Sequence, residues 1–320
     1  MGSYERINYA LRPAKSIERK MMVEALRKLA PFGAVSAYRY IGFGSTYFSD
    51  FVLVHKALGI SNMISIEQDV ENQDRFAFNR PYRCIAIEFG SSNEVLPTLP
   101  WNVRTIGWLD YDGPLDASVL ADARFFVATA RAGSVFIVSV NAEPDRKAGG
   151  ADAEIAKYRL DKLKERVGDP KVPDDVLGKQ LAKWGTAAVY RRILSNEIET
   201  TLVERNGALE SGSKLRFKPL FHFRYADNAK MLTVGGLLFD EGQEVLVNSC
   251  NFEKLDFIRT NGEPYLIEAP NLTYREIRHL DRQLPCSAVA DLDAPGVPSD
   301  DIRKYSDVYR YFPTFAETEI

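Results

Sequence analysis

Cysteine and histidine are scarce in this 320-residue chain, with three of each. Cys84, Cys250 and Cys286 are odd in number and far apart in sequence. That excludes a disulfide framework and a zinc knuckle, and fits a reducing compartment. Long apolar runs are missing as well: the longest, such as Val135 to Val140, are far too short to span a bilayer. The opening MGSYERINYALRPAK carries no apolar segment of a signal peptide. Charge of one sign is lacking too, since the net charge is −3. No global field therefore draws the chain toward nucleic acid or an anionic membrane, although a local basic patch stays open. There is no Walker phosphate loop, no Ser/His/Asp signature and no internal repeat. These absences leave the expectation of a soluble cytoplasmic protein, and 45% hydrophobic residues are enough for a real core.

What is present centres on Val35 to Asp69. A β-branched run, Val35 to Ile41, enters the glycine turn Gly42-Phe43-Gly44-Ser45. A helical pattern follows, with Phe48, Phe51, Val52, His55 and Leu58 on one side and Gly59 at the C-cap position. A second apolar run, Met63 to Ile66, ends in Glu67-Gln68-Asp69. Strand, glycine turn, helix, strand and carboxylate make the first half of a nucleotide-binding α/β sheet. Glycines let the backbone approach a ligand, the helix N-terminus offers free N–H groups, and an acid about 20 residues on can accept both hydroxyls of a ribose. Each signal has a plainer reading: a tight turn for the glycines, a polar strand end or cap for Glu67-Gln68-Asp69.

Short β runs then alternate with helices. Strands are expected at Cys84 to Ile87, Thr105 to Leu109 and Ser134 to Val140, with helices at Ser16 to Ala30, Val70 to Phe78 and Leu115 to Ala130. Residues 144–212 are charged and helix-rich, with helices expected at Ala153 to Val167, Asp174 to Lys183 and Ala187 to Arg205. They read as a helical insertion or cap whose mixed charges suit a solvated face rather than a nucleic-acid patch. Lys214 to Tyr225, the turn Ala226-Asp227-Asn228 and Met231 to Phe239 predict a hairpin, with Pro219 at a bulge or edge. Beyond Asp240 the chain reads as helix and loop, with a Thr273/Glu276 capping box and an aromatic segment Tyr305 to Phe315 that either docks on the core or meets a partner. The predicted organisation is a core of residues 1–143 and 213–240, the insertion 144–212, and a C-terminal extension 241–320 packed on the core.

Five parallel β units closed by an antiparallel hairpin resemble the class I S-adenosylmethionine-dependent methyltransferases, and more narrowly a group of bacterial O-methyltransferases. The residues carrying the resemblance are Tyr40-Ile41-Gly42-Phe43-Gly44-Ser45, Glu67, Phe89-Gly90-Ser91-Ser92 with Glu94-Val95-Leu96-Pro97, and Asp110-Tyr111-Asp112-Gly113. The resemblance implies an α/β Rossmann-like sheet and S-adenosylmethionine as cofactor. It implies cofactor contacts from Gly42, Gly44, Ser45, Thr46, Glu67, Gln68, Gly90, Ser91, Asp110 and Tyr111, with Glu67 on the ribose and the Gly90 motif beside adenine. It also puts Asp110 and Asp112 near the methyl group as candidate catalytic acids, against a turn role with Gly113-Pro114. Tyr40 stands where the family usually has an acid, Thr46 at the third glycine position, and Ser91 where a second acid is usual; Ser91 and Ser92 also suit a helix cap.

Methyl transfer needs donor and acceptor held in line and a proton removed from the acceptor. A carboxylate can take that proton; Asp-x-Asp alone does not complete a metal site, and none is assigned. The Asn/Asp-Pro-Pro-aromatic motif of DNA amino-group methylases is absent after the fourth strand, which favours an oxygen acceptor over a base. His55 reads as structural, and His222 either packs in its strand or approaches the site. Two rival readings remain open: a non-catalytic S-adenosylmethionine-fold module working with a partner protein or a second copy, and a nicotinamide-dependent oxidoreductase.

Overall fold

A computed structural model describes residues 12–210 and 212–314. Its eight-stranded sheet has the order β3-β2-β1-β4-β5-β7-β6-β8. The strands are β1 (Arg39–Gly42), β2 (Asn62–Glu67), β3 (Ile85–Phe89), β4 (Thr105–Pro114), β5 (Val135–Asn141), β6 (Leu215–Ala226), β7 (Lys230–Asp240) and β8 (Tyr265–Ile267). The first five pair in parallel and β7 runs antiparallel to both β5 and β6. The alternation of β runs and helices predicts the parallel sheet, and with the closing antiparallel hairpin it is the α/β Rossmann-like arrangement that the resemblance implies. The bulge at Pro219 is present, as a register shift between Pro219 and Phe221. The tail differs from its reading as helix and loop: Tyr265–Ile267 adds a parallel edge strand to β6. Three residues are too few to show the period of two.

The helices are α1 (Pro13–Arg27), α2 (Ser49–Leu58), α3 (Gln73–Asn79), α4 (Ser92–Val95), α5 (Ala117–Thr129), α6 (Asp152–Val167), α7 (Gly185–Asn206), α8 (Glu244–Ser249), α9 (Tyr274–Asp281) and α10 (Ser299–Val308). Helix α1 starts three residues before the expected Ser16, because Pro13 takes the first turn, where its fixed φ is favourable and its missing N–H costs nothing. The helix expected over Asp174 to Lys183 is only a short 3-10 turn, Gly178–Gln180; Pro173 and Gly178 interrupt that segment. Gly59 closes α2 in the left-handed conformation, and the Thr273/Glu276 box opens α9, both as expected.

Alternation along the strands divides the core into two layers. Tyr40, Met63, Ile106 and Trp108 face α1 and α2, where Ile17, Met21, Phe48 and Phe51 are buried. Ile41, Ile64, Ile66 and Leu109 face α5 and α7, against Phe126, Tyr190 and Ile193. Each fully buried large apolar side chain contributes about 1.5–3 kcal/mol, so both faces are held firmly and the strand register is fixed. Within the aromatic tail, Tyr305 and Val308 are buried and Phe312 packs beside them, which is the docking reading; Phe315 lies outside the described residues, as does most of the N-terminal lead-in. Among the described residues no helix is long and apolar enough to cross a membrane.

Candidate active site

The register builds the site. Gly42 pairs with Ser65 on one side and with Trp108 on the other. Two residues further along each strand come Gly44, Glu67 and Asp110. A period of two keeps Glu67 on the face of Ser65, and Asp110 on the face of Trp108. Sequence-distant residues thus reach one row at the carboxyl ends of β1, β2 and β4, where open α/β sheets bind ligands.

The glycine turn is bonded to the second strand. The Gly44 N–H donates to Glu67 Oε1 at 2.8 Å and lies 2.9 Å from Ser65 Oγ, and the Ser65 hydroxyl donates to Glu67 Oε1 at 2.6 Å. A Cβ on Gly44 would fall 2.5 Å from Ser65 Oγ and 2.6 Å from the Phe48 ring, so no side chain fits. Gly42 is closed by the Trp108 carbonyl and the Tyr40 hydroxyl, both 3.1 Å from the same position. Ser45 and Phe48 adopt left-handed backbone conformations, φ 48° and 47°. Two such non-glycine residues leading into α2 are strain of the kind that collects at ligand-binding turns. Burial pushes the Glu67 carboxyl up to about 7 despite the Ser65 hydroxyl and the Gly44 and Ser45 N–H groups that oppose the shift.

A cavity of about 420 Å³ opens at this row. Phe43, Ile66, Phe76 and Val119 supply apolar walls; Glu67, Asp69, Asp110 and Asp112 supply carboxylates. Gly44, Ser45, Gln68 and Tyr111 also line it, so seven of the eleven expected site residues meet in one cavity. Gly42, Thr46, Gly90 and Ser91 are not in its lining. Gly42 sits within β1 and Thr46 is buried. The Gly90 N–H donates to the Glu67 carbonyl at 3.0 Å, and Ser91 caps α4 through a box with Glu94. The Tyr111 ring packs edge-on against Phe43, its hydroxyl donates to Asp122, and burial together with Asp122 holds the phenol well above its ordinary value. Tyr111 is therefore a wall and not a base.

The sequence reading misses what α1 contributes. Lys15 Nζ lies 2.8 Å from both Asp110 Oδ1 and Glu18 Oε2, donates to the Tyr225 hydroxyl at 3.1 Å, and rests 4.5 Å above the centre of the Trp108 ring. Lys15 and Glu18 are 1% and 0% exposed, so burial opposes charge here. Asp110 and Glu18 outweigh it and hold the ammonium well above its ordinary value. Arg19 pairs with Asp50 at the start of α2, and both residues line the cavity. The spacing of Lys15, Glu18 and Arg19 in α1 gives one signal, a polar cluster on an otherwise apolar helix; their partners lie too far along the chain to be inferred. His55 is structural, its Nδ1 bonded to the Ile60 carbonyl at 2.7 Å. His222 does not approach this cavity; it lines a different one. The lining comes from residues 19–119, so neither 144–212 nor the tail shapes this pocket.

A family model described as putative O-methyltransferase matches residues 7–320. The chain belongs to that family. Solved structures similar to this family member include Trm1 from Pyrococcus horikoshii with S-adenosyl-L-methionine (10% identity, TM-score 0.43, 72% of this chain and 57% of that one). Others are an O-methyltransferase from Bacillus cereus with SAH (11%, 0.37, 73% and 86%) and human N-acetylserotonin methyltransferase with SAM (12%, 0.34, 70% and 55%). The chain thus spans little more than half the length of the archaeal and human proteins. No curated protein matches it in sequence.

Proposed function

We propose that this O-methyltransferase-family chain binds S-adenosylmethionine in the 420 Å³ cavity and transfers its methyl group to an oxygen of a small acceptor. The observation that carries the reading is the Gly44–Glu67 hydrogen bond, which ties the glycine turn to the end of β2 beside Asp110. The donor set fits the group: apolar walls for a purine, carboxylates for ribose hydroxyls and an ammonium, and Arg19 for a carboxylate. When bound, the sulfonium supplies an already activated methyl.

The chain's residues divide the remaining work. Glu67 is engaged by the Gly44 amide and fixes the turn, and Asp69, which accepts from the Asn72 amide at 2.9 Å and also lines the cavity, accepts from the ribose hydroxyls. Glu18 and Asp110 share the single Lys15 ammonium, two acids to one cation, which favours a cationic ligand centre beside Asp110. Asp110, pinned by Lys15, orients the ligand. Asp112, exposed at the mouth, takes the acceptor's proton.

Calorimetry with S-adenosylmethionine, S-adenosylhomocysteine and NAD is the first test. Binding of the first two and not the third is expected, with Asp110→Asn weakening both about tenfold; binding of NAD alone overturns the reading. Mass spectrometry of small hydroxylated acceptors incubated with methyl-labelled donor then reads transfer to oxygen.

A further inference from the structure

We propose a second ligand site in this chain, a cavity of about 690 Å³ between α7, β6 and the loop 259–263, built to hold an organic carboxylate with an apolar body. It shares no lining residue with the first cavity. Leu215 pairs with Asp240, and Leu237 with Val135 at the start of β5. The entry to β6 is therefore at the sheet end opposite the crevice, and beyond the hairpin rather than at β1. The volume falls within the roughly 300–1,000 Å³ usual for small-molecule sites.

The lining has two parts. Leu194, Ile198 and Leu202 of α7 face Leu215 and Phe217 of β6 across an apolar floor. Cations gather around it. Arg216 is held by Glu241 and Glu244 at 3.4 and 3.7 Å. Arg191, Lys218 and Arg259 also line the cavity, and among the described residues none of the three has a carboxylate within ion-pair distance. Glu199 is the remaining acid in the lining. The Arg259 guanidinium is stacked 5.3 Å above the Tyr265 ring, which fixes it without neutralising it.

His222 adds a polar atom with no partner. Its Nδ1 lies 3.1 Å from the Gly262 carbonyl, so that nitrogen carries the proton and donates. Nε2 is buried and has no hydrogen-bond partner among the described residues, and the same is true of Arg224 Nε two residues along the strand. An orphaned buried polar atom costs about 1–3 kcal/mol unless something meets it. Burial, then Arg191 and Arg224, push the His222 imidazole down to about 4. Arg191 and Arg224 are thus close enough to repel each other and a protonated His222. A carboxylate seated beside Arg191 and His222 relieves that repulsion and favours a second proton on the imidazole, so that Nε2 becomes a donor to it, and its apolar body covers the floor. Free phosphate meets the cations but leaves the floor uncovered.

The test titrates the full chain with dodecanoate, dodecylammonium and inorganic phosphate in a calorimeter. Saturable one-to-one binding of dodecanoate is expected, with no comparable binding of the other two. The double variant Arg191→Ala/Arg259→Ala should weaken dodecanoate at least tenfold. Ile198→Trp, which fills the floor, should abolish binding, and thermal unfolding confirms that both variants fold. Failure of dodecanoate to saturate, equal binding of dodecylammonium, or indifference to both sets of substitutions overturns the proposal.

Discussion

The two cavities of this chain are opposites in charge and in construction. The crevice at the ends of β1, β2 and β4 is lined by Glu67, Asp69, Asp110 and Asp112, and its shape is set by backbone: a glycine turn, a strained lead into α2, and a shared register. The second cavity is ringed by Arg191, Lys218 and Arg259, and its shape is set by side chains projecting from α7, from the bulged strand β6 and from the loop 259–263. A site made from backbone leaves a sequence signature, because glycines and strand-end acids recur at fixed offsets. A site made from side chains that far-apart elements bring together leaves none. The comparison therefore predicts that the crevice fails through charge balance and main-chain fit, while substitutions around the second cavity leave methyl transfer unchanged.

The largest effect should come from the charge balance beneath the crevice. Lys15→Met removes the only ammonium shared by Asp110 and Glu18 and leaves both acids enclosed without it. Breaking a buried ion pair in this way costs about 3–5 kcal/mol, readable as a lower denaturation midpoint at unchanged m-value. The triple change Lys15→Met/Glu18→Gln/Asp110→Asn should recover most of the loss. A Lys15→Met protein as stable as the parent would show that the trio does not need its cation. Next comes Asp112→Asn. Loss of a general base lowers turnover by about 10²–10⁴, here with donor affinity little changed because Asp112 is exposed and takes no part in the Lys15–Glu18–Asp110 contacts. A parallel fall in donor affinity would move Asp112 from proton transfer to binding.

Main-chain fit gives a smaller and cleaner contrast. A Cβ at Gly44 meets Ser65 and Phe48 below 3 Å, whereas one at Gly113, in the same cavity, meets nothing within 4 Å. Gly44→Ala should therefore weaken the donor by tenfold or more, and Gly113→Ala should hardly change it. Equal effects would remove the turn from the account.

These contrasts also explain how much could be read beforehand. The parallel sheet, the hairpin, the Gly44 turn and Glu67 were legible because each is local: an apolar period, a turn residue, an acid at a fixed distance. Ser91 was legible as a cap, and it opens α4 as one; nothing local separates that role from a ligand contact. Lys15 and Arg19 were not legible, since Asp110 lies 95 residues from Lys15 and Asp50 lies 31 from Arg19. The edge strand Tyr265–Ile267 was hidden for another reason, since pairing with β6 creates it and its own three residues do not.

The smallest effect is a pH dependence, and its sign follows from Glu67. Its carboxyl titrates near 7 in the folded chain against an ordinary value of 4.5. The folded state therefore holds a proton that the unfolded state releases at any pH between those values, and stability from this group is complete below about 4.5 and lost as the pH rises through about 7. Glu67→Gln keeps an oxygen for the Gly44 N–H but cannot titrate, so the difference in unfolding free energy between parent and variant should grow in the variant's favour from pH 5 to pH 8. Burial likewise raises Asp122, with the same sign, but that contribution is common to both proteins and cancels in the difference. Donor binding adds a second reading of the same proton. A cationic centre brought into this crevice favours the Glu67 carboxylate through space, although Asp69 takes the ribose hydroxyls, so the parent should release a proton on binding near pH 6–7 and bind more tightly as pH rises. The Gln variant should show neither. Proton release is measured by calorimetry in buffers of different ionisation enthalpy, and an unchanged release in Glu67→Gln would assign the proton to another group and free Glu67 from the binding step.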